Sequence, residues 1–212
     1  MPVELLNISS EAPQKSALQY AADMITSGKV VAVPTDTFYA LTADPFNLAA
    51  IEAVFRIKGR PESRALPILV DSVERAITLI RDVPDNFLKL SQQFWPGPLT
   101  LVIEATDRLP LKVTGNSGRV ALRWANSRIV SGLIASVGGP ITGTSANISG
   151  FPSCTNAQQI MKQLGDRLPL VLDAGDTGGL LASTIVALRG DEWAIVRDGV
   201  IPEDDIRKAL DS

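Results

Sequence analysis

The fold is set by residues 17–34, ALQYAADMITSGKVVAVP. Alanine, leucine and isoleucine recur at helical spacing up to Gly28, a residue that commonly ends a helix. Val30–Val33 is then an unbroken apolar run, which is typical of a buried strand, and Pro34 ends it. Helical and extended patterns alternate in this way along the chain, which predicts an α/β sheet with helical cover.

The alternation continues towards the C-terminus. Thr155 and Gln158 have the spacing of a capping box ahead of one helix. The late strands follow one another without helices between them, so we expect a mixed sheet. The patterns predict further helices at residues 47–57, 72–80, 84–94, 126–137, 155–164 and 204–210, and further strands at residues 66–70, 99–103, 120–124, 141–144, 168–172, 183–188 and 193–197.

The composition is that of one globular domain. The chain has 212 residues, 45% of them hydrophobic, and a net charge of −3, so bulk charge does not favour a dedicated nucleic-acid binder. Cys154 is the only cysteine, which excludes an internal disulfide and fits a reducing cytoplasm. We expect Cys154 to be a small residue that is either buried or next to a helix cap. No stretch reaches the ~18 apolar residues of a membrane helix, so no membrane partner is expected.

The chain contains no histidine. This excludes Ser-His-Asp and Cys-His catalysis, histidine-metal sites and the usual base with a near-neutral pKa. The P-loop and dinucleotide-binding signatures are absent as well. We therefore expect chemistry that depends on positioning and charge stabilisation by lysine, arginine, hydroxyl and amide groups.

Two polar loops are candidates for an anion site. Lys58 and Arg60 flank a glycine at the end of a predicted helix, and Arg64 follows before a strand. The helix dipole explains one cation there, whereas three cations suit bound phosphates. The second loop, Thr142–Gly150, is dense in hydroxyls and bracketed by glycines, so its backbone can approach an anion closely. An ordinary polar loop is the alternative.

Other polar residues follow the predicted strands. Thr35–Thr37 comes after the first strand, where ligands of open α/β sheets bind, although a turn that satisfies its own backbone is the alternative. Arg119 and Arg123 share strand parity and should face the same side. A core-facing arginine needs a partner, either a bound carboxylate or phosphate or a structural salt bridge. Ser183 and Arg197 add polar candidates in the late strands.

Together these segments resemble the YrdC-like family, the threonylcarbamoyl-AMP synthases. The matching pieces occur in the family's order and cover roughly residues 17–199. They are Val33–Thr37 with Tyr39, Ile57–Pro61, Phe94–Thr100, Val120–Arg123, Thr144–Gly150 and Ser183–Ile185.

The resemblance implies a single YrdC-like domain over residues 1–212, without the second domain that longer members append. Its fold would be one twisted mixed sheet with helices, curled around a concave, positively charged cavity. The implied activity is that of a nucleotidyltransferase, in which L-threonine, bicarbonate and ATP with Mg²⁺ give L-threonylcarbamoyl-AMP and pyrophosphate. The protein itself would be cytoplasmic. A downstream transferase would use its product to make threonylcarbamoyladenosine in tRNA, and a weak contact with tRNA or other RNA stays open.

The resemblance also implies roles for individual residues. Arg123 would take the threonine carboxylate, Arg119 would line the pocket, and Mg²⁺ would be held by the ATP phosphates without a protein ligand set. The catalytic residues would be Lys58, Arg60, Ser145 and Asn147. ATP would be bound by Lys58, Arg60, Arg64, Ser145, Asn147, Ser153 and Arg197. Threonine would be bound by Thr37, Arg123, Gly143 and Ser183.

Some positions depart from the family pattern. Ala40–Thr42 stands where the family usually has glycines after the tyrosine, and Leu69 or its neighbour stands where a histidine is frequent. Trp124-Ala125 replaces a common proline-containing turn. Two alternatives therefore stay open: an ATP-dependent carbamoyl- or adenylyl-transfer enzyme with another acceptor, and a non-catalytic RNA-binding or ribosome-maturation module on the same fold.

Overall fold

A computed structural model describes residues 3–61 and 64–211. In these residues the expected α/β alternation is confirmed, and the helices mostly match the predicted ranges. The helices are α1 (Lys15–Thr26), α2 (Leu48–Lys58), α3 (Val73–Ile77), α4 (Asp85–Phe94), α5 (Arg128–Val137), α6 (Ala157–Leu164) and α7 (Glu203–Asp211). The strands are β1 (Glu4–Asn7), β2 (Val31–Val33), β3 (Ala40–Thr42), β4 (Ile68–Leu69), β5 (Leu99–Glu104), β6 (Arg119–Arg123), β7 (Ile141–Thr142), β8 (Thr144–Ser145), β9 (Leu170–Asp173), β10 (Thr184–Arg189) and β11 (Glu192–Arg197).

These strands form two mixed sheets, so the expectation of a single sheet is wrong. The first sheet has the order β1-β9-β2-β3-β8, and the second has the order β11-β10-β5-β6-β4-β7. The predicted strand at residues 141–144 is interrupted at Gly143. The segment before Gly143 pairs with β4 in the second sheet, and the segment after it pairs with β3 in the first sheet. The chain therefore crosses between sheets at this glycine.

Strand β2 shows why its sequence is apolar throughout. Ala32 faces a large core that also contains Leu41 and Val54. Val31 and Val33 face a second core, in which α1 and α5 pack on the outer side of the first sheet. A strand that is buried on both faces gains from apolar side chains at every position, which abolishes the alternation of a half-exposed strand.

Two strands and one helix start differ from the predictions. Strand β1 lies at a sheet edge and is mostly exposed, so no apolar pattern marks it. Strand β3 is short and directly follows a polar motif. Helix α6 is capped by Asn156, one residue after the predicted cap: its side chain accepts the Gln159 N–H, while the Gln159 side chain accepts the Thr155 N–H. Asparagine competes well with threonine as a cap, and sequence spacing alone did not separate them.

Helix α2 carries the first polar loop and is well defined at both ends. The Asn47 side chain accepts the Ala50 N–H at the N-terminus. Gly59 ends the helix with a φ of 58°, a left-handed conformation that favours glycine. Lys58 is thereby fixed as the last helical residue. Among residues 3–61 and 64–211, no helix has the length and apolar character needed to span a membrane.

Replacing Asn47 with Ala is expected to lower the free energy of unfolding by about 1 kcal/mol, because the Ala50 N–H loses its capping oxygen. Asn47→Asp is the matched control, since it keeps the acceptor and adds a favourable negative charge at the helix N-terminus. Urea unfolding measures both variants. Equal midpoints for Asn47→Ala and the parent protein would contradict the capping role.

Candidate functional site

Residues of both sheets line a cavity of about 420 Å³. Its wall on the second sheet is made by alternate residues of neighbouring strands, which share one face: Thr100 and Val102 of β5, and Ala121 and Arg123 of β6. The intervening residues, such as Leu101 and Leu122, point into the core. The strand period of two therefore gives one sheet a packed face and a cavity face.

Lys58 joins the two polar loops that the sequence singled out. Its side chain is almost completely buried. The Nζ atom donates to the Ser145 carbonyl at 2.5 Å, the Asn147 carbonyl at 3.0 Å and Asn147 Oδ1 at 3.2 Å. Burial, together with the smaller effect of the nearby Arg60 charge, lowers the pKa of Lys58 to about 8. All three ammonium protons are thus directed at the second loop.

Arg60 lies on the same side of the cavity. Its guanidinium donates to Thr144 Oγ1 at 3.3 Å and to the Ala65 carbonyl at 2.9 Å. Its Nε is buried without a hydrogen-bond partner in the described part of the chain. Burial lowers the pKa of Arg60, and the nearby charge of Arg64 adds to this effect. Lys58 and Arg60 are therefore held close together, and neither has an acidic partner among residues 3–61 and 64–211.

The second loop is held by its own side chains as well as by Lys58. Ser145 Oγ donates to Asn147 Oδ1, and Asn147 Nδ2 donates to the Phe151 carbonyl at 2.7 Å. At Gly143, an added Cβ would lie 2.4 Å from Leu69 Cγ. The loop can therefore pass this close to β4 only with a glycine at that position.

Arg123 has a protein partner, as one of the sequence alternatives required. Its Nη2 forms an ion pair with Asp36 at 2.6 Å, and both side chains are mostly buried. Its Nη1 donates to Thr37 Oγ1 at 3.0 Å, and its Nε donates to the Gly97 carbonyl at 3.1 Å. The guanidinium is therefore fixed from three sides, with its Thr37 edge on the cavity.

A second polar group lies at the start of β10. Ser183 Oγ and Thr100 Oγ1 are 2.8 Å apart and buried. Arg197 donates from Nη2 to Ser183 Oγ at 3.0 Å and to the Ser183 carbonyl at 2.7 Å. Partial burial lowers the pKa of Arg197, and the charge of Arg123 lowers it further. Ser183 thus orients Arg197, and Thr100 orients Ser183.

Almost all of the predicted site residues line this one cavity. Arg119 is the exception. It shares a sheet face with Arg123 but lies at the other end of β6, where it borders a different cleft. The predicted site residues that line the cavity are Thr37, Lys58, Arg60, Arg64, Arg123, Gly143, Ser145, Asn147, Ser153, Ser183 and Arg197.

The sequence patterns assign no definite role in the site to Asp36, Thr100 or Tyr39. Asp36 and Thr100 stand in matched motifs, but only the folded chain shows that they hold Arg123 and Ser183. Tyr39 is fully buried, and its hydroxyl donates to the Gly175 carbonyl at 2.8 Å. Burial raises the pKa of Tyr39 well above its usual value. Cys154 is buried as expected, which raises the pKa of its thiol to about 11.

The charge of the cavity lining is one-sided. In the described part of the chain, five basic side chains line it and no carboxylate does. Nor do the described residues bring together three or more His, Cys, Asp or Glu side chains in a metal-binding group. The lining offers hydroxyl and amide oxygens together with guanidinium groups. Such a lining suits an anion with several oxygens.

Two mixed sheets with helical cover and a polar cavity between them define the class as an α/β domain. The family model described as "Telomere recombination", Sua5_yciO_yrdC, matches residues 23–199. The chain therefore belongs to the Sua5–YciO–YrdC family.

Curated relatives agree with this assignment. The threonylcarbamoyl-AMP synthase of Pyrococcus abyssi is 35% identical over 195 residues, which are 91% of this chain and 57% of that protein. A putative threonylcarbamoyl-AMP synthase of Mycobacterium tuberculosis is 35% identical over 190 residues, which are 90% of this chain and 87% of the relative. The chain thus spans little more than half of the first relative and most of the second.

A solved structure agrees as well. P. abyssi Sua5 in complex with L-threonine superposes with a TM-score of 0.93 at 34% identity, over 98% of this chain and 61% of that chain. The similarity covers both sheets and the loops around the cavity, because it extends over nearly the whole chain.

Gly143→Ala is expected to lower the free energy of unfolding by about 1–3 kcal/mol, because the new Cβ would overlap the Leu69 side chain. Gly139→Ala is the matched control, since no atom lies within 4 Å of the Cβ position there. Urea unfolding compares the two variants. The close packing of β4 on this loop would be refuted by an equal loss of stability in both.

Proposed function

We propose that the protein synthesises L-threonylcarbamoyl-AMP from L-threonine, bicarbonate and ATP, with release of pyrophosphate. The main support is the cavity lining, in which five basic side chains and no carboxylate come together in the described chain. Family membership and the curated relatives support the same reaction. The net positive charge that we assign to the cavity follows from this lining.

We assign binding of the ATP phosphates to the two polar loops. Arg60 and Arg64 supply charge for the ATP phosphates, and Ser145, Asn147 and Ser153 supply hydroxyl and amide groups. Lys58 has a double role, because its ammonium holds the Ser145–Asn147 loop while adding positive charge behind it. A loop fixed in advance needs no reorganisation when charge develops on the phosphates, which favours catalysis.

The amino-acid side is assigned to the opposite wall. We place the threonine carboxylate at the edge of Arg123 that now donates to Thr37 Oγ1. Asp36 keeps the guanidinium in position from the other edge. Gly143 and Ser183 complete this wall. We assign Arg197 to the nucleotide, because it lines the cavity, donates to Ser183 and is close enough to Arg123 for the two charges to interact.

The chemistry then needs no histidine. The threonine amino group and bicarbonate give the N-carboxylate of threonine and water. A carboxylate oxygen of this carbamate attacks the α-phosphorus of ATP, the new P–O bond forms, and the bond to pyrophosphate breaks. Negative charge shifts to the leaving pyrophosphate, where Arg60 and Arg64 stabilise it. Magnesium enters on the ATP phosphates, since the described lining offers hydroxyl and amide oxygens but no carboxylate.

The product is a mixed anhydride and is unstable in water. We propose that it passes to a transferase that places the threonylcarbamoyl group on an adenosine of tRNA. Weak contact of this chain with tRNA would assist that transfer.

Arg60→Ala is expected to lower pyrophosphate release by about 10²–10³-fold, because one cation that stabilises the transition state is lost. Arg56→Ala is the matched control, since Arg56 lies on the exposed face of α2, the helix that precedes Arg60, and does not line the cavity. The assay follows pyrophosphate with ATP, Mg²⁺ and bicarbonate, with and without L-threonine. Unchanged turnover in a folded Arg60→Ala protein would remove this residue from the mechanism.

The same assay separates the alternative functions. Release with another amino acid but not with threonine would identify an enzyme with a different acceptor. No release with any amino acid would exclude the enzymatic function. In that case, RNA binding that weakens steeply with salt would favour an RNA-binding module.

The kcat/KM for ATP is expected to decrease above pH ~8. Lys58 is positively charged below its pKa of about 8 and loses this charge as the pH rises through that value. The free enzyme's titration governs kcat/KM, so the loss of charge weakens ATP capture at high pH. Lys58→Arg keeps its charge throughout this range. If the decline persists unchanged in this variant, another group is responsible for it.

A further inference from the structure

A second cluster of arginines lies away from the proposed active site. Arg81, Arg119 and Arg189 line a separate cleft of about 440 Å³, together with Glu104. Ser117, Gly118 and Gly190 complete its lining. Three guanidinium groups and one carboxylate leave an excess of positive charge in the cleft.

This cleft and the main cavity are at opposite ends of the same strands. Strand β6 carries Arg123 at one end and Arg119 at the other, and β10 runs from the neighbour of Ser183 to Arg189. Four residues of extended strand separate the two ends of β6 by about 13 Å. The cleft is therefore a distinct place on the protein, and not an extension of the cavity.

Backbone carbonyl groups of the protein fix the position of the Arg119 side chain. Its Nη2 donates to the Leu188 carbonyl at 2.7 Å and to the Val102 carbonyl at 3.1 Å. Its Nε is buried and has no hydrogen-bond partner in the described chain, and no hydrogen bond from its Nη1 is present there. A structural arginine normally satisfies its buried donors, so an incompletely bonded guanidinium points to a missing acceptor.

The neighbouring charges do not supply that acceptor. Burial lowers the pKa of Arg119, and the charge of Arg189 lowers it further, while Glu104 opposes this effect. The side chain of Arg189 is exposed and forms no ion pair or hydrogen bond among the described residues. Arg81 pairs with Asp107 at 3.0 Å, but both side chains are largely in solvent, where such a pair contributes little.

We propose that Arg81, Arg119 and Arg189 form a second anion site that binds a phosphate group. Several guanidinium groups around one cleft suit an anion with two charges and several acceptor oxygens, whereas one guanidinium fork satisfies a simple carboxylate. The phosphate comes either from a small phosphorylated molecule or from an RNA backbone. This site does not depend on the proposed function, because it shares no lining residue with the main cavity.

The test is a titration of the ¹⁵N-labelled protein with inorganic phosphate at constant ionic strength, followed through the amide signals of Gly118 and Gly190. Saturable shifts of both signals are expected. Arg189→Ala should raise the dissociation constant for phosphate at least tenfold. The variant protein should fold, because the Arg189 side chain is exposed. Arg56→Ala removes the same charge from a remote exposed helix face and should leave the dissociation constant unchanged.

A second arm replaces phosphate with a short RNA oligonucleotide. Shifts of the same two signals at much lower RNA concentration would identify the RNA backbone as the source of the phosphate, and shifts with phosphate alone would identify a small molecule. Absence of saturable shifts in both arms, or equal binding by Arg189→Ala, would overturn the proposal. The proposed function is tested separately by pyrophosphate release, so its failure leaves the expected shifts of Gly118 and Gly190 unchanged.

Discussion

The geometry of the main cavity depends on the buried ammonium group of Lys58. It lies at the last residue of a helix, and its three protons are bonded to oxygens of the Ser145–Asn147 loop. Burying a charge in this way is costly unless each proton is satisfied. The bonds to Ser145 and Asn147 meet that condition and, in doing so, join a helix of one region to a strand of the first sheet. The two polar loops therefore form one wall.

Around the Lys58 contacts, polar side chains of the cavity are oriented by neighbouring side chains. Asp36 holds Arg123 on the side away from the cavity, and Thr100 holds Ser183, which in turn holds Arg197. The basic groups are thereby presented in set orientations while like charges remain near one another. For the proposed function this arrangement is favourable, because an anion that neutralises these like charges would bind with little reorganisation of the side chains.

Much of the architecture could be predicted from local sequence. The helix before Gly28, the helix that begins near Asn47 and the buried strand before Pro34 follow from periodicity and from the residues that begin and end helices. The predicted single sheet failed because the split at Gly143 depends on which strands the two halves meet, and no local pattern encodes that. Strand β1 was missed for a related reason, since an exposed edge strand carries little apolar alternation.

For the site, the sequence by itself determined the kinds of groups available. The absence of histidine, the cations around Gly59 and the hydroxyl-rich loop after Gly143 already indicated anion binding by charge and positioning. Only the tertiary structure decided which groups share a cavity and which pair with one another. Arg119 and Arg123 have the same strand parity, yet four residues of extended chain carry them to separate clefts. Side-chain direction is a local property that sequence spacing reports, whereas proximity across sheets arises from long-range packing.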